Sequence, residues 1–505
     1  MYLIVIGYLA LVLTLPEPLY RLVTGVGPVF VALAGATILP AVCGLLTTRR
    51  VHRLLEVYPA RPAWAQAAFG RGMFLSQVAL AAGHIGVLMG TDWAVLCRSV
   101  PVVGAWPVIP GLLTLAPFLL TILLLWVTTY SADRAIRQLA LEIYLLRGRP
   151  LRPVWSLPQY LAYNLRHQVL FVLVPMLLIL AASDLVTQQR VWVRRVTGLD
   201  FAPDLVVGAV ALLVALLAPE ILRHVWITQR LPAGPLRDRL LDLARRLRLR
   251  CRDILVWRSG GMVVNAAVMG LIPPVRYVLI TDAMLEQMEE TRIEAVFGHE
   301  AGHVKRHHIF FLLLFALISG CAATIFSVRT HGWSRTDPAQ YHFALLLFGA
   351  GMFAAWVLLF GWISRRFERQ ADLAGVRALT LTGLPCGQPC LVHGHAGPAA
   401  DPPAATAAPA VATAAPSVAL CATAAHIFGD ALHEVALLNG IRPEARSWRH
   451  SSIASRSRFL ARLARDPDRL QRFERIVWWT KAALLVTAVV AAAWAGHDMR
   501  LWTEL

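Results

Sequence analysis

Apolar residues in this chain come in long blocks rather than in alternation with polar ones. Nine stretches, at about 2–15, 26–46, 72–91, 108–130, 168–183, 205–222, 309–327, 342–363 and 479–496, are nearly free of charge. A helix rises 1.5 Å per residue, so about 20 such residues cross the hydrocarbon of a bilayer. The blocks therefore predict membrane spans. The first is short, but neither a basic leader nor a small-residue cleavage pattern marks it as a signal peptide, and it is read as a span.

Two long stretches break this pattern. In 223–308, "PLRDRLLDLARRLRLRCRD" repeats leucine at helical spacing with arginine between. It predicts a basic amphipathic helix lying on the membrane surface or on the domain. "ILVWRS", "GMVVNAAVMG" and "RYVLIT" read as short strands between Gly and Pro breaks, and "TDAMLEQM" as a helix. Thr291 and Glu294 have the spacing of a capping box, so a helix is expected from near 292 that runs on toward the seventh span. In 364–478, "SRRFERQADLAGVRAL" continues helically out of the eighth span, and "ATAAHIFGDALHEVALLNG" forms a helix ending at Gly440. Between them an Ala/Pro-rich segment, about 393–417, lacks the apolar surface to fold and is expected to be disordered.

These readings divide the chain into five parts: an N-terminal membrane region at 1–222, a first catalytic segment at 223–308, two transmembrane helices at 309–363, a second catalytic segment at 364–478, and a final span with its tail at 479–505. The polar segments 223–308 and 364–478 fall on the same side of the membrane and can form one domain.

Composition agrees: the 505 residues are 57% hydrophobic and only 15% charged, too apolar for an ordinary soluble protein of this length. The net charge of +18 does not indicate nucleic acid, because the arginines cluster in alternate loops. Arg49, Arg50 and Arg53 follow the second span, Arg134, Arg137 and Arg147 the fourth, Arg237 to Arg252 the sixth, and Arg365, Arg366 and Arg369 the eighth. Basic loops stay in the cytoplasm. Nine spans with the N-terminus inside and the C-terminus outside place every such loop there. The seven cysteines show no disulfide spacing. Two lysines against many arginines, with abundant alanine, point to a GC-rich, bacterial source and so to a multi-pass protein of the inner membrane.

The chemistry is concentrated in "VFGHEAGHVKRHH". His299 and His303 are four apart, about 40° around one helical face, where two imidazoles can hold one Zn²⁺. Glu300 lies beside them, as in the H-E-x-x-H arrangement of zinc peptidases. A catalytic zinc needs a third protein ligand. Glu368 is the best candidate. Asp372, one turn on, suits an outer partner that orients a ligand histidine. The competing reading pairs both acids with Arg365 and Arg369 on a solvated face. His307 extends the histidine stripe but lies too far along the axis to be a ligand. Cys386, Cys390, His393 and His395 have a spacing that suits a second metal, against a plain flexible loop.

Three stretches together, "RYVLITDAMLEQMEETRIEAVFGHEAGHVKRHH", "SRRFERQADLAG" and "RHSSIASRSRFL", resemble the successive motifs of the membrane-embedded gluzincin peptidases, a family that includes the CAAX prenyl endopeptidases and the bacterial heat-shock membrane protease. "VVNAAVMG" resembles the family's cleft-bordering strand. The resemblance implies a mainly α, polytopic membrane protein of about nine spans carrying an α+β gluzincin-type peptidase domain on the cytoplasmic side. It makes His299, His303 and Glu368 ligands of one zinc ion and Glu300 the catalytic residue, with Asn265, His450 and Arg456 near substrate or oxyanion. The late motif departs from the family pattern, with Ser451 after His450 where proline is usual.

The implied reaction is hydrolysis of a peptide bond in a protein or peptide substrate, with Glu300 moving the proton from water to the leaving amine. The strand at Val263, Val264 and Asn265 is a place for an extended peptide to pair. The lipid bilayer is the other expected partner, and nucleic acid is not. Membrane-associated or misfolded proteins are the expected substrates. The alternatives are a prenyl-protein endopeptidase, a membrane sensor that cleaves a regulator, and a non-catalytic scaffold or transporter with a vestigial motif.

Overall fold

The computed structural model describes residues 22–59, 61–100, 108–146, 154–199, 202–261, 263–384, 386, 392, 419–445 and 447–503, together with Val5, Tyr8 and Val12. The Ala/Pro-rich segment at about 393–417, and with it Cys390, His393 and His395, lies outside the described residues, as does most of the first apolar block. The chain divides into two compact units, residues 1–228 with 257–262, and residues 229–256 with 263–505.

The first unit is helical. Helices α1 (Val26–Val57), α2 (Pro62–Gly90) and α3 (Val108–Leu146) pack on one another. Helix α4 (Leu157–Asn164) passes through a π-helical turn at Leu165–Leu170 into α5 (Phe171–Gln188), and α6 (Ala202–Val225) packs against α5.

The second unit carries a four-stranded sheet of order β1-β2-β4-β3, with β1 (Thr228–Arg230), β2 (Asp253–Trp257), β3 (Ala266–Met269) and β4 (Tyr277–Thr281). Three of these strands were expected, and β1, only three residues long, leaves no periodic trace. β4 is buried at every position. β3 pairs with it in antiparallel fashion, Ala266 opposite Ile280 and Val268 opposite Val278. β3 is therefore an edge strand. Helix α7 (Pro235–Arg246) turns Leu240, Leu243 and Ala244 inward. Its Arg239 bonds Glu294 and Glu290, at 2.7 Å each, so the basic amphipathic helix docks on its own domain.

Helix α8 (Glu290–Lys305) carries H-E-x-x-H, and α9 (His308–Thr330) follows it. Two expectations are corrected here. The capping box does not form: Glu289 is the N-cap, Thr291 lies within the helix, and Glu294 is drawn to Arg239 instead. The helix also does not run on into the membrane. His307 takes left-handed backbone angles (φ 55°) and breaks it.

Pro338–Ala355, a π-helical turn at Trp356–Phe360 and α10 (Gly361–Leu381) form one long rod. Helices α11 (Ala422–Leu438) and α12 (Ile453–Arg465) pack together, and α13 (Pro467–Thr503) lies along α9. Arg329 of α9 and Asp498 of α13 join in a two-pronged ion pair, Nε to Oδ2 at 2.8 Å. Lys481 of α13 donates to the Arg306 carbonyl at 2.7 Å near the start of α9.

Among the described residues, eight helices are long and apolar enough to cross a membrane, matching eight of the nine apolar blocks. Their apolar side chains largely face outward: Phe343, Leu346, Phe353 and Leu358 are all exposed. Such a surface requires hydrocarbon around it, and the protein is a mainly α, multi-pass membrane protein with a small sheet-containing domain.

Candidate metal centre

Small residues set the geometry. A Cβ on Gly298 of α8 would lie 2.4 Å from the Ala378 Cβ of α10, one on Gly302 would lie 2.5 Å from Ala374 Cβ, and one on Gly375 would meet the Phe428 ring. With these positions bare, α8 and α10 approach closely along a seam that also includes Ala371. His299 and His303 on one helix then reach Glu368 on the other.

Their ligand atoms converge. His299 Nε2 and His303 Nε2 are 3.2 Å apart, and Glu368 lies 3.8 Å from the first and 3.7 Å from the second. Four ligands placed tetrahedrally at zinc's usual 2.0–2.1 Å would sit about 3.3 Å apart. Two imidazoles and one carboxylate with these spacings fit that ion. The three side chains are buried or nearly so.

Each of these groups is held from behind. His299 Nδ1 lies 3.0 Å from Asp372 Oδ1, although off the line of its N–H. Asp372 is fully buried and receives a two-pronged grip from Arg456, with Nε at 2.9 Å. Arg456 Nη2 is 3.8 Å from Glu368, and His450 Nδ1 is 3.0 Å from the other oxygen of Glu368. The alternative pairing of Glu368 and Asp372 with Arg365 and Arg369 is not what is found. Arg365 donates to the Trp448 carbonyl and Arg369 lies over the Phe459 ring.

His303 is held by a residue that sequence reasoning missed. His303 Nδ1 and His308 Nδ1 are 3.0 Å apart, His308 Nε2 is 2.9 Å from Gln370 Oε1, and Lys481 Nζ donates to that same oxygen at 3.0 Å. A donor must face an acceptor at every link. With His303 Nε2 directed to the site, its Nδ1–H donates to His308 Nδ1, and His308 Nε2–H donates to Gln370. The break at His307 is what swings His308 back onto His303. His307 itself is exposed. The only sequence signal was the adjacent histidine in "RHHI".

Burial tunes the titration. Burial comes first in raising Glu300 to about 7, with the Glu368 charge adding to it and His299 and the Val268 backbone working against it. Burial, aided by His299, lowers His303 to about 4, so it is neutral and able to accept a metal. For His299 burial again pushes downward, but the Asp372 contact overcomes it and the pKa rises. Arg456 is opposed by burial and held charged by Asp372 and Glu368.

A cleft of about 420 Å³ opens over these groups. Its walls include Ala266 and Val268 of edge strand β3, together with Asn265, which is exposed. The peptide-pairing edge is corrected by the register. Val264 has both backbone groups occupied by the Asn439 side chain, at 3.1 and 2.7 Å. Asn265 faces Thr281, at 3.0 Å. Alternation then turns the backbone groups of Ala266 and Val268 toward the cleft. Cys386 lies 3.6 Å from Cys421, sulfur to sulfur.

Residues 231–388 match the model of peptidase family M48. Over 174 residues the chain is 29% identical to "Protease HtpX homolog" of Archaeoglobus fulgidus, a match covering 33% of this chain and 49% of that protein. The chain thus spans about half the length of this curated relative. Among solved structures, the S. mikatae Ste24p crystal structure aligns over 86% of this chain and 99% of its own with 15% identity, at a TM-score of 0.41.

Proposed function

We propose that this membrane protein, whose residues 231–388 match peptidase family M48, is a zinc-dependent endopeptidase that hydrolyses membrane-associated or misfolded proteins at the cytoplasmic membrane face. The observation that carries the reading is the convergence of His299, His303 and Glu368 from two helices onto one point, with Glu300 beside it in a cleft walled by an edge strand.

His299, His303 and Glu368 would hold the ion. When bound, zinc supplies Lewis acidity toward water and the scissile carbonyl. Asp372 and His308 keep the two imidazoles turned to the site. The cleft-facing backbone of Ala266 and Val268 binds an extended peptide by adding a strand. Glu300 receives the proton of the attacking water and returns it to the leaving amine. Arg456, buried and charged within 3.8 Å of Glu368, favours negative charge developing in the cleft, and the half-exposed His450 lines the same cleft with its Nδ1 3.0 Å from Glu368.

The arginine-rich loops support the cytoplasmic side. His303 is also only five residues before the start of the α9 span, which sets the chemistry close to the bilayer surface.

The test uses the purified full chain in detergent. Cleavage of an unfolded membrane protein should stop with a zinc chelator and return on adding zinc, and a farnesylated peptide should be cut no better than its unmodified form. Cleavage that survives chelation would overturn the metal mechanism. Cleavage confined to the farnesylated peptide would make the protein a prenyl-protein endopeptidase instead.

A further inference from the structure

The first unit holds a cavity that the peptidase site does not use. It measures about 590 Å³, and its walls include Trp155, Tyr163, Arg166, His167, Trp226 and Arg258. One wall is a continuous pile of rings. Trp155 leans on Tyr163 (4.4 Å between centroids), Tyr163 stacks on His167 (4.0 Å), and His167 stacks on both Trp257 (5.1 Å) and Trp226 (5.5 Å). Gly260, at φ 67°, closes over Trp155. A Cβ there would be 2.7 Å from the indole nitrogen.

The charge of this cavity has one sign. Arg166 and Arg258 bring two guanidiniums, and none of the described residues lining the cavity is acidic. His167 adds no charge, because its two nitrogens play opposite parts. Nδ1–H donates to the Tyr163 carbonyl at 2.7 Å, and Nε2 accepts from Trp257 Nε1–H at 2.8 Å. Trp226 adds a further demand: its indole N–H is buried with no acceptor among the described residues, an arrangement that is costly unless something supplies one. The cavity is thus built for an anion with acceptor oxygens and an apolar remainder.

Its position says which anion. The span Leu157–Gln188 starts at the cavity and the span Leu205–Val225 ends there, immediately before Trp226. Arg166 and His167 project from the π-helical turn at Leu165–Leu170, an irregularity that recurs at functional sites. The cavity therefore lies at headgroup depth, on the side where the arginine-rich loops place the anionic leaflet. We propose that it is a binding site for the phosphate headgroup of an anionic phospholipid, held by Arg166, Arg258 and the Trp226 N–H, with the ring pile beneath the glycerol.

The test is native mass spectrometry of the full chain in detergent. The probes are phosphatidylglycerol, phosphatidylcholine and inorganic phosphate, and the variants are Arg166→Gln, Arg258→Gln, Trp226→Phe and, as a control at the end of another span, Arg49→Gln with Arg50→Gln. The wild type should retain phosphatidylglycerol in preference to phosphatidylcholine. Each cavity arginine removed should weaken that binding about fivefold. Trp226→Phe keeps the stacking and removes only the donor, so it should weaken binding by roughly two- to tenfold and stands as the test if an arginine variant fails to fold. The control pair should bind as wild type. Equal retention of the two lipids, an equal loss in the control pair, or unchanged binding in the cavity variants would overturn the site. Displacement of the lipid by inorganic phosphate at comparable concentration would overturn the lipid assignment in favour of a free-anion site.

Discussion

Gly302 and Ala374 face each other across the seam between α8 and α10 so closely that a Cβ on the glycine would lie 2.5 Å from that of the alanine. No side chain fits there without moving a helix. Gly302→Ala is expected to cost about 1–3 kcal/mol of stability by overpacking, and to weaken zinc binding because the same seam brings His303 to Glu368. Gly302→Ala combined with Ala374→Gly moves the methyl group to the other helix and should recover most of both. Thermal unfolding and zinc titration of the single and double variants check this. Equal losses in both would place the damage elsewhere than at the seam.

That seam also marks how far the sequence could be read. Eight spans were legible because about 20 consecutive apolar residues admit few other structures. The H-E-x-x-H pair was legible because spacing along one helix fixes which side chains are neighbours. Glu368 and Asp372 were legible as candidates, but their turn toward His299 rather than toward Arg365 and Arg369 depends on two helices meeting, which local pattern does not encode. Gly298, Gly302, Ala371, Ala374, Gly375 and Ala378 recur at helical spacing on both helices, and that regularity was the available signal for the meeting. The capping box failed for a related reason: Glu294 matched a local rule, but Arg239, 55 residues away, offered a stronger partner. His308 was hidden by a backbone break at a non-glycine residue.

Glu368→Ala should abolish stoichiometric zinc binding, while Asp372→Ala should leave a site weaker by roughly 10–100-fold, the range typical of residues that orient a ligand. Competitive zinc titration distinguishes the two. Full zinc occupancy in Glu368→Ala would mean that another side chain completes the site.

His308→Ala removes the acceptor for His303 Nδ1–H and should lower zinc affinity by roughly 10–100-fold, with His307→Ala as the neutral neighbour. Metal affinity is again the readout. Equal effects at the two positions would remove the orienting role assigned to His308.

Sidedness follows from the alternating arginine-rich loops. On a cysteine-free background, Arg53→Cys and Arg245→Cys should resist an impermeant thiol reagent in intact cells, whereas Thr336→Cys should react. All three positions are exposed. Labelling at Arg245→Cys would put the peptidase domain on the opposite face.

The central claim is that Glu300 serves the reaction and not the metal. The most direct measurement is zinc content and proteolysis of purified Glu300→Gln on one preparation beside wild type. Glutamine keeps the size of the side chain and cannot take a proton from water. One zinc per chain is expected in both proteins, with cleavage in the variant lower by at least about 10²–10⁴-fold, the usual contribution of a general base. Wild-type cleavage by Glu300→Gln, or a wild-type protein that binds no zinc, would contradict it.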